Sequence, residues 1–149
     1  MIHKISAAHL TIEEVGAILE NHATLELSDD ARQRIVRCRK YLDKKIDESD
    51  VPIYGVTTGF GSLCNVSVDK DRLAQLQVNL IMSHACGVGS RVPNDIVKIM
   101  LFLKAQSLSY GYSGCQVETV ERLIDFFNND IYPVVYTQGS LGASGDLVP

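Results

Sequence analysis

Ala143, Ser144 and Gly145 form a tripeptide that can turn its own backbone into an electrophile. They sit within Gly139-Ser140-Leu141-Gly142-Ala143-Ser144-Gly145-Asp146. The Gly145 nitrogen reaches the Ala143 carbonyl carbon only if the chain folds back almost on itself. Side chains without bulk permit that approach, and glycine adopts backbone angles closed to other residues. Loss of water from the new ring and from the Ser144 side chain would leave a methylidene-imidazolone. That group would be a strong carbon electrophile, which no ordinary side chain supplies. Most octets rich in glycine and serine are simply loops, so the chemistry needs support from elsewhere in the chain.

Three further segments could give it. Tyr54-Gly55-Val56-Thr57-Thr58-Gly59-Phe60-Gly61 is a glycine-rich loop that starts with a phenol. Gly59-Phe60-Gly61 opens like a dinucleotide fingerprint, but Cys64 stands where a third glycine is required. No Walker-type lysine follows. Tyr54 reads either as a strand-end aromatic packed in the core or as a general base on a mobile loop, which would need its proton affinity lowered. In Ser83-His84-Ala85-Cys86-Gly87-Val88-Gly89, His84 falls at a predicted helix C-terminus, where a protonated imidazole suits the dipole. It reads as a satisfied helix-end histidine or as a ligand-facing one. Gly111-Tyr112-Ser113-Gly114 reads as a helix stop and a turn. A serine-hydrolase elbow is excluded at Ser144, because Asp146 replaces the glycine that motif demands.

Helix-period patterns must position these segments. Thr11 and Glu14 make a capping box opening a helix that ends near Asn21. Ser28, Asp29 and Asp30 open a longer helix with an apolar stripe of Ile35, Cys38, Leu42 and Ile46. Lys44 and Lys45 lie toward its negative end. A third helix is predicted from Asp69 to about Ala85, with Leu73, Leu76, Leu80 and Ile81 inward. Pro93 suits the first turn of a fourth, apolar almost all round from Ile96 to Leu108 and so expected to be deeply buried. A fifth runs from about Val117 to Asn128. Ile53 to Val56 and Val134 to Tyr136 read as short strands.

Composition narrows the classes. With 149 residues, 46% hydrophobic and 21% charged, the chain can bury a core and is not a disordered one. Its net charge of -4 and lack of basic runs argue against nucleic acid. No apolar stretch approaches the roughly 18 residues of a membrane span. The N-terminus lacks a signal peptide's apolar centre, which makes the cytoplasm the expected location. Cys38, Cys64, Cys86 and Cys115 match neither a paired zinc pattern nor a redox motif and read as structural thiols, and no metal site is expected. His3, His9 and His22 read as surface or capping residues.

Taken in order, these segments resemble the histidine and aromatic amino-acid ammonia-lyase family. The tyrosine loop is Tyr54 to Gly61. Leu76-Gln77-Val78-Asn79-Leu80 followed by Ser83-His84 is similar to its substrate-selectivity helix. Ser107-Leu108 with Gly111 to Gly114 resembles the segment beyond, and Gly142-Ala143-Ser144-Gly145-Asp146-Leu147 resembles its prosthetic-group motif. The resemblance is strong over residues 50 to 149 and general before that.

It implies a mainly helical fold, the helical N-terminal part of the aspartase-like ammonia-lyase architecture, with a few short strands. It implies that Ala143, Ser144 and Gly145 cyclise autocatalytically to the methylidene-imidazolone, with Asp146 in the surroundings that favour closure and Gly61 supporting the site. The electrophile would take the substrate amine, Tyr54 would remove the β-proton, and ammonia would leave to give a conjugated acid. His84, with Ser83, would contact the substrate side chain. That pair implies L-histidine as substrate and urocanate as product, with tyrosine deamination or amino-group migration as the alternative. Gln116 departs from the arginine that many members carry after the Ser-Gly turn. The resemblance also implies a homotetramer whose sites draw on three subunits, with further site residues beyond Pro149. The expectation is therefore an N-terminal portion, residues 1–149, of a longer chain. On its own it would be inactive, and its Ala143-Ser144-Gly145 would remain ordinary peptide.

Overall fold

The computed structural model describes residues 1–48, 51–142 and 145–147, with Lys70, residues 140–142 and residues 145–147 as backbone only. The chain divides into two compact units. One is Met1–Asp43 with Pro93–Pro133, the other Lys44–Val92 with Val134–Pro149.

In the first unit, strand β1 (Ile2–Ile5) pairs in parallel with β2 (Thr24–Leu27), Ile2 opposite Thr24 and Ile5 opposite Leu27. Helix α1 (Ile12–Glu20) crosses between them. Thr11 caps it as expected: its hydroxyl accepts from the Glu14 N–H at 3.2 Å, and the Glu14 carboxylate accepts from the Thr11 N–H at 2.8 Å. Helix α2 (Asp29–Glu48) begins in this unit, after Ser28, whose hydroxyl accepts from the Ala31 N–H. Helix α4 (Asn94–Ser109) and helix α5 (Val117–Asn128) complete it. The α5 stripe of Val120, Ile124 and Phe127 packs on α4 residues Leu101, Phe102, Ala105 and Leu108, and on Ile5, Ile18, Leu25 and Ile35. Phe102 is fully buried, with Phe127 tilted against it at 5.9 Å and His3 edge-on at 5.8 Å. Asn128 acts as a substitute strand beside β2, accepting from the Leu25 N–H at 2.8 Å and donating to the Leu25 carbonyl at 2.9 Å.

In the second unit, helix α3 (Leu73–His84) follows a single 3-10 turn at Lys70–Arg72. Strands β3 (Val88–Arg91) and β4 (Tyr136–Gln138) pair antiparallel, and so do β5 (Ser140–Gly142) and β6 (Gly145–Leu147).

Five helices lie where the pattern places them, but several details differ. Pro93 is the N-cap of α4 and not a first-turn residue. α4 is not buried all round: Ile96, Met100 and Leu103 are exposed, because the packing partners lie on one side only. A cleft of about 590 Å³ between α1 and α4, lined by Leu10, Val15, Leu19, Ile99 and Leu103, follows that uncovered side. Ile81 is 71% exposed and not inward. Leu73, Leu76 and Leu80 form the half-buried stripe of α3, and the next residue turns about 100° away from it. No strand forms at Ile53 to Val56, where the Ile53 carbonyl accepts from the N–H groups of both Val56 and Thr57 and closes a turn. The strand expected at Val134 begins at Tyr136. Five strands (β1, β2, β3, β5 and β6) were not evident from the sequence. Cys38 and Cys115 are half-buried, but Cys64 and Cys86 are exposed, so packing as small hydrophobes describes only the first two. His3 is no surface residue: it lies half-buried against Phe102, and burial lowers its proton affinity.

Candidate functional site

Tyr54, Gly61, Ser83 and His84 belong to the second unit, whereas the Gly111 to Gly114 turn lies in the first. Tyr54 opens a tight turn that threonine hydroxyls hold together. The Thr57 Oγ1 accepts from the Ile53 N–H at 2.8 Å, and the Thr58 Oγ1 accepts from the Gly55 N–H at 3.1 Å while donating to the Gly59 carbonyl at 2.9 Å. Serine and threonine offer such bonds in place of regular secondary structure, which explains why the β-rich composition of this stretch misleads. Gly55 stands at φ +71°, and a Cβ there would meet Phe60 Cε1 at 3.0 Å. Gly59 admits no side chain, since a Cβ would come within 2.6 Å of Leu63 Cβ.

This turn leaves the Tyr54 side chain 63% exposed, so it is not a core aromatic. Its ring stands edge-on to Phe60 at 5.8 Å, and its hydroxyl oxygen accepts from the Gly61 N–H at 3.4 Å. A backbone donor thus faces the phenol oxygen. Gly61 holds φ +56° at the start of the 3-10 turn Gly61–Leu63, which directs that N–H.

Ser83 and His84 end α3. The Ser83 hydroxyl donates to the Leu80 carbonyl at 2.9 Å, and His84 Nδ1 lies 2.8 Å from the same oxygen. The same Nδ1 lies 2.9 Å from the Ser83 hydroxyl, so it is held between that hydroxyl and the Leu80 carbonyl. No hydrogen bond among the described residues uses Nε2. His84 is thus half satisfied as a helix-end histidine and half available.

The hydrogen bonds of the described residues join Tyr54 to Gly61 and Ser83 to His84, but none joins one pair to the other. Ala143 and Ser144 lie outside the described residues. Gly142 and Gly145 on either side of them are register partners in the antiparallel pair of β5 and β6, as are Leu141 and Asp146. Sequence reasoning missed Thr57, Thr58 and Phe60. The signal for the threonines was present: two adjacent hydroxyls between glycines favour local backbone bonds over a strand.

Three comparisons bear on this geometry. A family model described as aromatic amino acid lyase matches residues 10–149. The histidine ammonia-lyase of Deinococcus radiodurans is 51% identical over 140 residues, which cover 94% of this chain and 26% of that protein. The chain therefore spans about a quarter of that relative's length. Among solved structures, histidine ammonia-lyase from Trypanosoma cruzi superposes with a TM-score of 0.81 at 33% identity, over 95% of this chain and 27% of that one. Tyrosine aminomutase from Streptomyces globisporus superposes with a TM-score of 0.85 at 31% identity, with the same coverage of 95% and 27%. Five helices with a few short strands match both. No helix of the described residues is long and apolar enough to cross a membrane.

Proposed function

The chain belongs to the aromatic amino acid lyase family, and from that membership we propose that it is the N-terminal portion of a histidine ammonia-lyase converting L-histidine to urocanate and ammonia. The observation that carries this reading is His84, held at Nδ1 by the Leu80 carbonyl and the Ser83 hydroxyl with Nε2 unbonded among the described residues, in a chain 51% identical to a histidine ammonia-lyase. A free ring nitrogen at that position suits a substrate imidazole, which offers both a donor and an acceptor.

Ala143, Ser144 and Gly145 would form the prosthetic group. The residue types fit it: Ala143 and Ser144 are small in the sequence, and the flanking Gly142 and Gly145 are register partners of β5 and β6. Once formed, the group supplies a carbon electrophile for the substrate amine. Tyr54 serves as the base that takes the β-proton, with the Gly61 N–H supporting the charge that develops on its oxygen. His84 orients the substrate ring, and Ser83 shares the Leu80 carbonyl that holds it. Asp146 stands beside the ring-forming residues in sequence and pairs with Leu141 through its backbone. The resemblance supports a cytoplasmic homotetramer.

The 149 residues alone are expected to be inactive, because a partly built site cannot orient substrate. Ring closure also depends on strain imposed by surrounding structure. Intact mass checks the second point, since a loss of two waters would show that the ring does form here. In the longer enzyme, L-histidine should give urocanate absorbance and Ser144→Ala should abolish it. Turnover of L-tyrosine without L-histidine would overturn the substrate assignment. It would favour the second reading, a tyrosine lyase or aminomutase, which the likeness to the Streptomyces globisporus enzyme supports, since a phenol hydroxyl can also donate to His84.

A further inference from the structure

In the stretch Val51 to Asp69, the side chain buried most deeply is a polar one. Thr58 is 1% exposed, whereas Tyr54, Phe60, Leu63 and Val66 around it are all more than a third exposed. An apolar side chain of that shape would bury equally well, so burial alone does not account for a hydroxyl. Its bonds do. One oxygen accepts from the Gly55 N–H, the amide directly after Tyr54, and donates to the Gly59 carbonyl, two residues before the amide that meets the phenol. Thr57 repeats the device on the other side of Tyr54 by accepting from the Ile53 N–H at 2.8 Å. Two main-chain bonds then tie this pair to the return strand of the loop: the Val68 N–H donates to the Thr57 carbonyl at 2.8 Å, and the Gly59 N–H donates to the Val66 carbonyl at 3.2 Å. Tyr54 is thereby held between two hydroxyl-capped amides, and Gly61 is brought back to within 3.4 Å of its oxygen.

We propose that Thr58, with Thr57 in a lesser part, is a positioning residue that fixes the Tyr54 phenol against the Gly61 N–H. The proposal rests on the reading of Tyr54 as the base. Neither threonine touches substrate in it; both act through the backbone on either side of the tyrosine. The bond between Gly61 and Tyr54 is long, so small changes in the turn move it out of range.

The first test uses the 149-residue chain and nitrogen-15 NMR. Thr58→Val keeps the shape and removes the hydroxyl. It should shift the Gly61 amide and Tyr54 ring resonances, while those of α4 and α5 stay in place and report that the chain is folded. Thr58→Ser should return both signals to their parent positions, and Thr57→Val should give a smaller shift of the same pair. Unmoved Gly61 and Tyr54 signals in folded Thr58→Val would overturn the proposal, as would a failure of serine to restore them.

The second test uses the longer enzyme. Misplacing a reacting group by a fraction of an ångström to an ångström costs on the order of ten- to a hundredfold in rate. Thr58→Val should therefore lower kcat by about that factor with KM for L-histidine little changed, and Thr58→Ser should recover most of it. An unchanged kcat, or a change confined to KM, would overturn positioning. If the parent enzyme turns over no L-histidine at all, the proposed function falls, while the NMR comparison still decides whether the threonines hold Tyr54 to Gly61.

Discussion

The two units divide the work of the chain. Every buried apolar side chain among the described residues lies in the first unit, from Ile5 through Phe127. The second carries Tyr54, Gly61, Ser83 and His84, and its helix α3 buries no residue at all. The first unit is held by burial, which is non-directional and grows with apolar area. The turn around Tyr54 is held by hydroxyls, glycines and carbonyls whose directions matter. Surface loops placed by a scaffold commonly carry function for that reason. The contrast predicts that equal substitutions have unequal effects in the two units.

The largest difference should come from truncating an apolar side chain in each. Phe102→Ala removes a ring with no exposed surface and two aromatic neighbours. Such changes cost about 3–5 kcal/mol, a large part of a small domain's stability. Ile81→Ala, in a residue 71% exposed on α3, should stay within about 0.5 kcal/mol. Urea unfolding of both variants checks this. A loss from Ile81→Ala approaching that from Phe102→Ala would show that α3 is covered, and would remove the contrast between the units.

The same contrast explains what could be read in advance. α5 matched residue for residue because its apolar period, its acidic first turn and its end at Asn128 all agree. The Thr11 and Glu14 capping box was legible because it is a pattern local to four residues. β1 and β2 were not, since a parallel pair 22 residues apart is decided by what covers it and not by its own four-residue strings. Around Tyr54 the residue types Ile, Tyr, Val and Thr favour a strand, but Gly55 at φ +71° and two side-chain hydroxyls override that preference. The candidate residues were identified by type and spacing. The bonds that orient them, from Gly61 to Tyr54 and from His84 to Leu80, depend on where the backbone goes and leave no mark in composition.

A smaller difference is expected between two glycines of like conformation. Gly111 stands at φ +76° after α4, with its N–H donating to the Leu108 carbonyl, and a Cβ there would fall 2.7 Å from Arg34 Cβ and 2.8 Å from the Arg34 carbonyl carbon. Gly61 stands at φ +56° with nothing within 4 Å of the added atom. Alanine at either site carries the left-handed penalty of about 1–2 kcal/mol. Only at Gly111 is overpacking against backbone added, on the order of 1–3 kcal/mol more. Thermal unfolding of Gly111→Ala and Gly61→Ala should show the first clearly less stable. Equal losses would mean that α2 and the loop after α4 yield to each other, and that the first unit is looser than its burial suggests.

The smallest effect lies at the margin of the first unit, where polar bonds do what apolar contacts do inside it. Asp130, in the turn after α5 at φ +53°, accepts from Lys98 of α4 and from the Tyr132 hydroxyl. The hydrogen bond from Lys98, then that from Tyr132, holds the Asp130 carboxyl below its ordinary range. The same carboxylate raises Lys98 and pushes Tyr132 up. The signs follow from linkage. Asp130 binds its proton less readily when folded, so its contribution is present above the ordinary carboxylate range and is lost as pH falls through its folded value. Lys98 and Tyr132 hold theirs more readily, so their contributions are present below the ordinary lysine and tyrosine ranges and are lost as pH rises through the folded values. Asp130→Asn should flatten both the acid and the alkaline edges by lowering stability slightly in the middle of the range, where all three contributions are present, with the extremes unchanged. The effect should be small and weaker in high salt, because the carboxylate is 63% exposed. Unfolding midpoints across pH at low and high salt check it. Edges as steep in Asp130→Asn as in the parent would place their origin in other groups, of which His3, buried against Phe102 and lowered by that burial, is the first to replace on the acid side.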